Sequence, residues 1–260
     1  MEENADHVAV VSVHYGLDDF TGVSEDPFHA SNPADNKARL GFYSIDGFPV
    51  VMIDGLLDAW PLTTLQECCD ERMLVPCSLS VSVRASNGSD ESSGTLFITL
   101  ESETGLNLDA RLNVMVIESG VPGSGEYEDQ PFSYGLHDNL CSPYGQIIEF
   151  GEMPESIEIP VEYLIDPTWD WYRLDLVAFV QDPSTGEVLN ACMTRMSDPV
   201  EYRLSTTAYQ PSACLKDWIP DRRLLSGPQE GKRDEDLLLA EAVGADSVFR
   251  EAHREARQGA

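Results

Sequence analysis

A chain of 260 residues can form one large or two ordinary domains with a real core, and 42% hydrophobic content is that of a globular protein. Its 46 acidic against 16 basic residues give a net charge of −30, a field that repels phosphate backbones and excludes nucleic-acid binding by the body of the protein. No run approaches the ~20 apolar residues of a membrane span, and the acidic start Met1-Glu2-Glu3 predicts no signal peptide in this chain.

The charge is unevenly spread. Up to Cys214 the basic residues are Lys37, Arg39, Arg72, Arg84, Arg111, Arg173, Arg195 and Arg203, so nearly all of the acidic excess lies there. Such a surface keeps a protein soluble. Its sharper readings are a high-salt environment or calcium in an extracytoplasmic setting, where carboxylate-rich loops hold hard cations. No other cofactor is expected. Six cysteines stand at 68, 69, 77, 141, 192 and 214, with no Cys-x-x-Cys spacing, which leaves free buried thiols and one or two disulfides both open.

In chain order, Val8 to Tyr15 is a β-branched strand without alternation, which predicts burial on both faces. An acidic loop follows, with Asp18, Asp19, Glu25 and Asp26. Ser31 or Asn32 caps a predicted helix with Pro33 at its first position, running over Ala34 to Ser44. Gly47-Phe48-Pro49 leads into an apolar strand, Val50 to Ile53, closed by the turn pair Asp54-Gly55. Pro49 sits where its missing N–H costs no ladder bond, and cis and trans forms of its peptide bond are both open. Leu62 to Met73 reads as another helix, completing a strand-helix-strand-helix unit.

From Leu79 the pattern changes to short strands separated by Gly, Pro, Ser and Asp turns. These are Leu79–Ala85, 94–101, Leu112–Glu118, 147–150, 156–160, 171–181 and 188–196, which imply an antiparallel sandwich. Residues 197 to 230 read as irregular. Asp234 to Arg257 is expected to be an amphipathic helix with Leu237, Leu238, Val243 and Phe249 on its apolar face. The domains are thus placed at 1–76, 77–205 and 206–260, the last a linker and C-terminal helix.

Several motifs carry a family resemblance. They are the strand ending His14-Tyr15, the Asp26-Pro27-Phe28 loop, the Ala38-Arg39-x-x-x-Tyr43 helix and the turn Gly47-Phe48-Pro49-Val50-Val51-x-Ile53-Asp54-Gly55. Residues 112–118, His137-Asp138, 176–182 and 187–191 add to them. Together they resemble bacterial outer-membrane and secreted proteins in which a thioredoxin-like domain is joined to an immunoglobulin-like β-sandwich, over about residues 8 to 196. The resemblance implies an α+β multidomain fold: a partial thioredoxin-like α/β unit, then an antiparallel immunoglobulin-like β-sandwich, with a helical C-terminal tail. It also implies a cell-envelope or extracellular location and a protein partner there. Family members carry Cys-x-x-Cys and a central strand upstream of the strand that here begins at Val8. Without that strand its neighbours leave backbone groups unpaired. Another segment fills the gap, the strands re-pair, or the gene starts earlier; the last is the expectation.

No nucleophile-base-orienter constellation is written in the sequence. His14 with Asp18, Asp19 and Asp26 is the local cluster that could hold a metal or act as a base, against the plainer reading of a hydrogen-bonded scaffold histidine. The binding candidates are Phe48, Pro49 and His14, with the loop aromatics Tyr127 and Tyr134. The expected function is a non-catalytic envelope or secreted binding module. Alternatives are a thiol-disulfide oxidoreductase whose Cys-x-x-Cys half is absent here, and a metal-dependent enzyme using His14 and its acids.

Overall fold

A computed structural model of the chain describes residues 8–14, 26–45, 50–59, 64–86, 91–103, 106, 108–123, 131–152, 154–197 and 238–243, the last as backbone only. The elements are β1 (Val8–Val13), α1 (Pro27–Ser31), α2 (Pro33–Phe42), β2 (Val50–Ile53), β3 (Leu57–Asp58) and α3 (Leu65–Arg72). Then come β4 (Leu79–Ala85), β5 (Ser93–Ser102), β6 (Asp109–Glu118), β7 (Gly135–Asn139), β8 (Gln146–Glu149) and β9 (Glu155–Leu164). The last are β10 (Leu174–Gln181), β11 (Val188–Arg195) and β12 (Leu238–Val243).

One large sheet runs β11-β10-β6-β7-β1-β12-β2-β3, with β8 also paired to β6; a second sheet is β4-β5-β9. The long antiparallel pairs β5–β9 and β10–β6 follow from β-branched and apolar runs that present one face to a partner sheet. In β10, Leu174, Leu176, Ala178 and Val180 enter the core between the sheets, while Val177 and Phe179 enter a second core on the other face of the large sheet. Leu40 of α2 joins that second core beside Ala9, Val11 and Val13 of β1. Val10, on the opposite face of β1, packs with Val51 and Ile53 of β2 and with Leu65, Cys69 and Met73 of α3. The double-sided burial expected of β1 follows from these two layers.

The α+β fold class read from the sequence is overturned: the described chain is predominantly β. Among the described residues a thioredoxin-like α/β unit closed within residues 1–76 is not found, because no described strand of that segment pairs with β1. The partners of β1 are β7 on one side and β12, from the far end of the chain, on the other. Nor do the described residues form an immunoglobulin-like sandwich of self-contained sheets, since one layer has three described strands and the other continues through β7 into β1, β12, β2 and β3. The expected helical tail is also corrected, for Leu238–Val243 is a strand, parallel to β1 over six residues and antiparallel to β2 over four. Leu, Ala and Glu favour helix locally, but a slot flanked by two strands offers hydrogen bonds on both sides, and that tertiary term prevails. The place beside β1 is taken by β12.

Candidate functional site

The local helix chemistry places the candidate histidine. Asp26 is the N-cap of α1, its Oδ1 accepting from the amides of Phe28 and His29 at 3.0 Å each, and Pro27 occupies the first turn. Its other oxygen, Oδ2, lies 2.6 Å from His14 Nδ1 just past the end of β1. Burial alone would raise this carboxyl, but the hydrogen bond and charge interaction with His14 and the two amides outweigh it and hold it below its usual value. The His14 amide donates to Asn36 Oδ1 at 2.8 Å, so α2 fixes the same residue from its backbone side.

A second imidazole-carboxylate pair stands beside the first. His137 of β7 has Nε2 2.7 Å from Glu118 Oε2 of β6, both side chains buried, and its ring stacks on Trp169 at 4.2 Å between centroids. Phe28 joins the two pairs, its ring 4.7 Å from both His14 and His137, and Phe132 meets Phe28 edge-on. Burial, outweighing the Glu118 carboxylate, pushes His137 below its usual value. Gly135 makes room for Phe28, since a Cβ there would overlap the ring.

A carboxyl pair closes the cluster. Asn32, N-cap of α2, donates from Nδ2 to Asp35 Oδ2 at 2.8 Å, to the His137 carbonyl at 3.0 Å and to Asp138 Oδ1 at 3.3 Å. The Asn139 amide donates to Asp35 Oδ2 at 2.7 Å. Burial and the neighbouring Asp35 carboxyl push Asp138 up to about 6.

This arrangement orients imidazoles without offering them to a substrate. Both rings are about nine-tenths or more buried, and His14 Nε2 and His137 Nδ1 are buried without a hydrogen-bond partner. A general base must reach the proton it takes. Of the expected metal set, His14 and Asp26 meet, while Asp18 and Asp19 lie outside the described residues. Among the described residues no three His, Cys, Asp or Glu side chains are grouped to hold a metal. Phe48, Pro49 and Tyr127 also lie outside the described residues. Tyr134 has φ 58°, donates its amide to Ser119 Oγ at 2.9 Å, accepts from the Ser12 amide at 2.7 Å and packs partly buried where β1 meets β7. The sequence reading missed Glu118, Trp169 and Asp138 as neighbours of the histidines; the His137-Asp138 dipeptide was its one signal.

Three of the described thiols, Cys68, Cys141 and Cys192, are poor nucleophiles. Burial raises Cys68, Cys141 to about 11 and Cys192 to about 12, whereas thiol exchange works through an accessible thiolate.

A separate cleft of about 250 Å³ opens where α3 and the β2–β3 turn meet β4 and β11. Gly55, at φ 69°, lets that turn approach the Gly186 carbonyl, with which any Cβ would overlap, and the Val188 amide donates to the Asp54 carbonyl at 2.8 Å. Arg72 crosses the cleft, donating from Nε to Asp54 Oδ2 at 3.0 Å and from a terminal nitrogen to Glu187 Oε1 at 2.7 Å. Burial would lower this guanidinium, but the two carboxylates hold it above its usual value. Met73, Val75, Val188 and Leu189 supply apolar wall, and Leu74 beside it is 70% exposed.

No family model and no curated protein matches the chain. Among solved structures it is similar to a domain of the outer membrane lipoprotein Omp28 from Porphyromonas gingivalis, with 14% identity and a TM-score of 0.31 over 47% of this chain and 90% of that one. No helix among the described residues is long and apolar enough to cross a membrane. The functional reading rests on the cleft and the histidine cluster themselves.

Proposed function

We propose that the chain is a non-catalytic binding module of the cell envelope that takes an amphipathic ligand in the cleft at Arg72. The observation carrying this reading is the cleft's make-up: the apolar side chains of Met73, Val75, Val188 and Leu189, with Ser78 and Asn190 among them, beside one cation bracketed by two carboxylates. Binding sites combine mostly apolar walls with a few fixed polar groups, and the Asp54-Arg72-Glu187 bridge is such a group, preset by the two turns that hold it. Its charge sums to −1, so a ligand with a cationic head and an apolar body fits better than one with an anionic head.

Methyl-resolved NMR titration with n-octylammonium and n-octanoate tests this. The expected result is saturable shifts at the methyls of Met73, Val75, Val188 and Leu189, with the ammonium at least several-fold tighter, and loss of that preference in Glu187→Gln. Shifts confined to other parts of the molecule, or equal affinity for both heads, would overturn the assignment. Cell fractionation tests the compartment, and recovery of the protein in the cytosol would remove the envelope from the proposal.

A further inference from the structure

The slot between β1 and β2 is built for a strand rather than for a side chain. β1 offers hydrogen-bonding groups along Val8–Val13 and β2 along Val50–Ile53, and β12 meets both at once, six residues on one side and four on the other. Both walls of the slot are apolar: Ala9, Val11 and Val13 continue into the core beneath Leu40, and Val10, Val51 and Ile53 into the core beneath α3. An occupant must therefore be an extended, mostly apolar run of about six residues, free of proline; residues 238–243 are of this kind, with one charge at Glu241.

We propose that this slot is a strand-acceptor site, that residues 238–243 fill it as a replaceable donor, and that it takes an extended apolar peptide in the donor's place. Three observations carry this. The donor comes from far along the chain rather than from a neighbour in sequence, with 42 residues between the end of β11 at Arg195 and its start at Leu238. A connection that long adds little further entropy cost with length and holds the donor at an effective concentration no higher than about millimolar. Its sequence, Leu-Leu-Ala-Glu-Ala-Val, has a local preference for helix, so leaving the slot costs it less than it would cost a β-branched strand. Main-chain pairing along two edges supplies affinity for any segment that fits, and the apolar walls supply the selection.

Ala240→Pro in the full chain tests this, because proline removes an N–H and cannot sit in a central strand. The probe is a fluorescent peptide with the sequence of residues 236–245, against the same peptide carrying proline at the position of Ala240. The expected result is at least tenfold tighter binding of the probe by the variant than by the wild type, no binding of the proline peptide, and hydrogen-exchange protection of the probe's central amides. A folded variant that ignores the probe would sink the proposal. If the variant does not fold alone, refolding with the probe decides: recovery of the wild-type spectrum supports the acceptor site, and failure to recover overturns it. In the wild type, full exchange of the amides of residues 239–242 within seconds would equally overturn the donor's placement.

Discussion

At the residue scale the cluster around Phe28 combines groups whose titrations oppose one another. Asp138 releases its proton near 3.8 in the unfolded chain and near 6 in the fold, because it is buried beside Asp35. The folded chain holds more protons between those values, so this group's contribution to stability falls as pH rises from about 4 to about 6 and stays at its lower level above. His137 is shifted down by burial, so the unfolded chain takes its proton first, and that contribution is lost as pH falls below the usual histidine value near 6.5. Asp138→Asn separates the two. The amide keeps an oxygen for Asn32 and gains a donor toward Asp35, removing the like-charge pair. The variant should be more stable than the wild type by about 1 kcal/mol at pH 7.5, with solvent screening of a half-buried group allowed for, and equal to it near pH 4. Urea midpoints across that range check this, and a pH-independent difference would remove the carboxyl pair as its cause.

At the element scale, the Phe28 ring ties α1 to β7, lying on Gly135 and beside His137. Gly135→Ala puts a methyl into the Phe28 ring and should cost about 3 kcal/mol, as overpacking of a closed core does. Phe28→Ala should cost about 4 kcal/mol for the lost ring. In that background the Gly135 substitution should cost under about 1 kcal/mol, since the clash is gone, and a double-mutant cycle measured by denaturant unfolding reads the coupling. Additive costs would mean that the ring shifts aside. The same contact shows which elements could be read from sequence. The strands β1, β2 and β11 are largely apolar runs and β4 alternates, patterns whose identity is local, and α2 carries its own cap and proline, so all were legible. β7 was not, because Gly-Leu-His-Asp-Asn is short and polar and is a strand only through β6 and β1 beside it. His14 and Asp26 are 12 residues apart across one loop and could be paired by eye. Glu118 and His137 meet only once β6 and β7 pair, with an irregularity at Val116/Ile117 that no composition announces. β12 was misread for the same reason, since its strand state belongs to the slot and its own residues favour helix.

At the scale of the whole molecule the dominant quantity is charge. A net −30 with only eight basic residues up to Cys214 makes the folded body repel itself, and several of those eight are already engaged, Arg72 with two carboxylates and Arg84 with Glu158. Self-repulsion weakens when the Debye length falls from about 14 Å near 0.05 M salt to about 4 Å near 0.5 M, whereas the buried pairs His14–Asp26 and His137–Glu118 are screened far less. Raising NaCl over that range should therefore raise the melting temperature by about 5 °C. Choline chloride at equal ionic strength should give the same rise, because diffuse screening does not distinguish monovalent cations. Calcium provides the contrast, since the acidic composition suggests hard-cation binding as its other reading. A rise that saturates at micromolar calcium and is absent with monovalent salt would move the source of the effect from the charge of the whole surface to a bound ion.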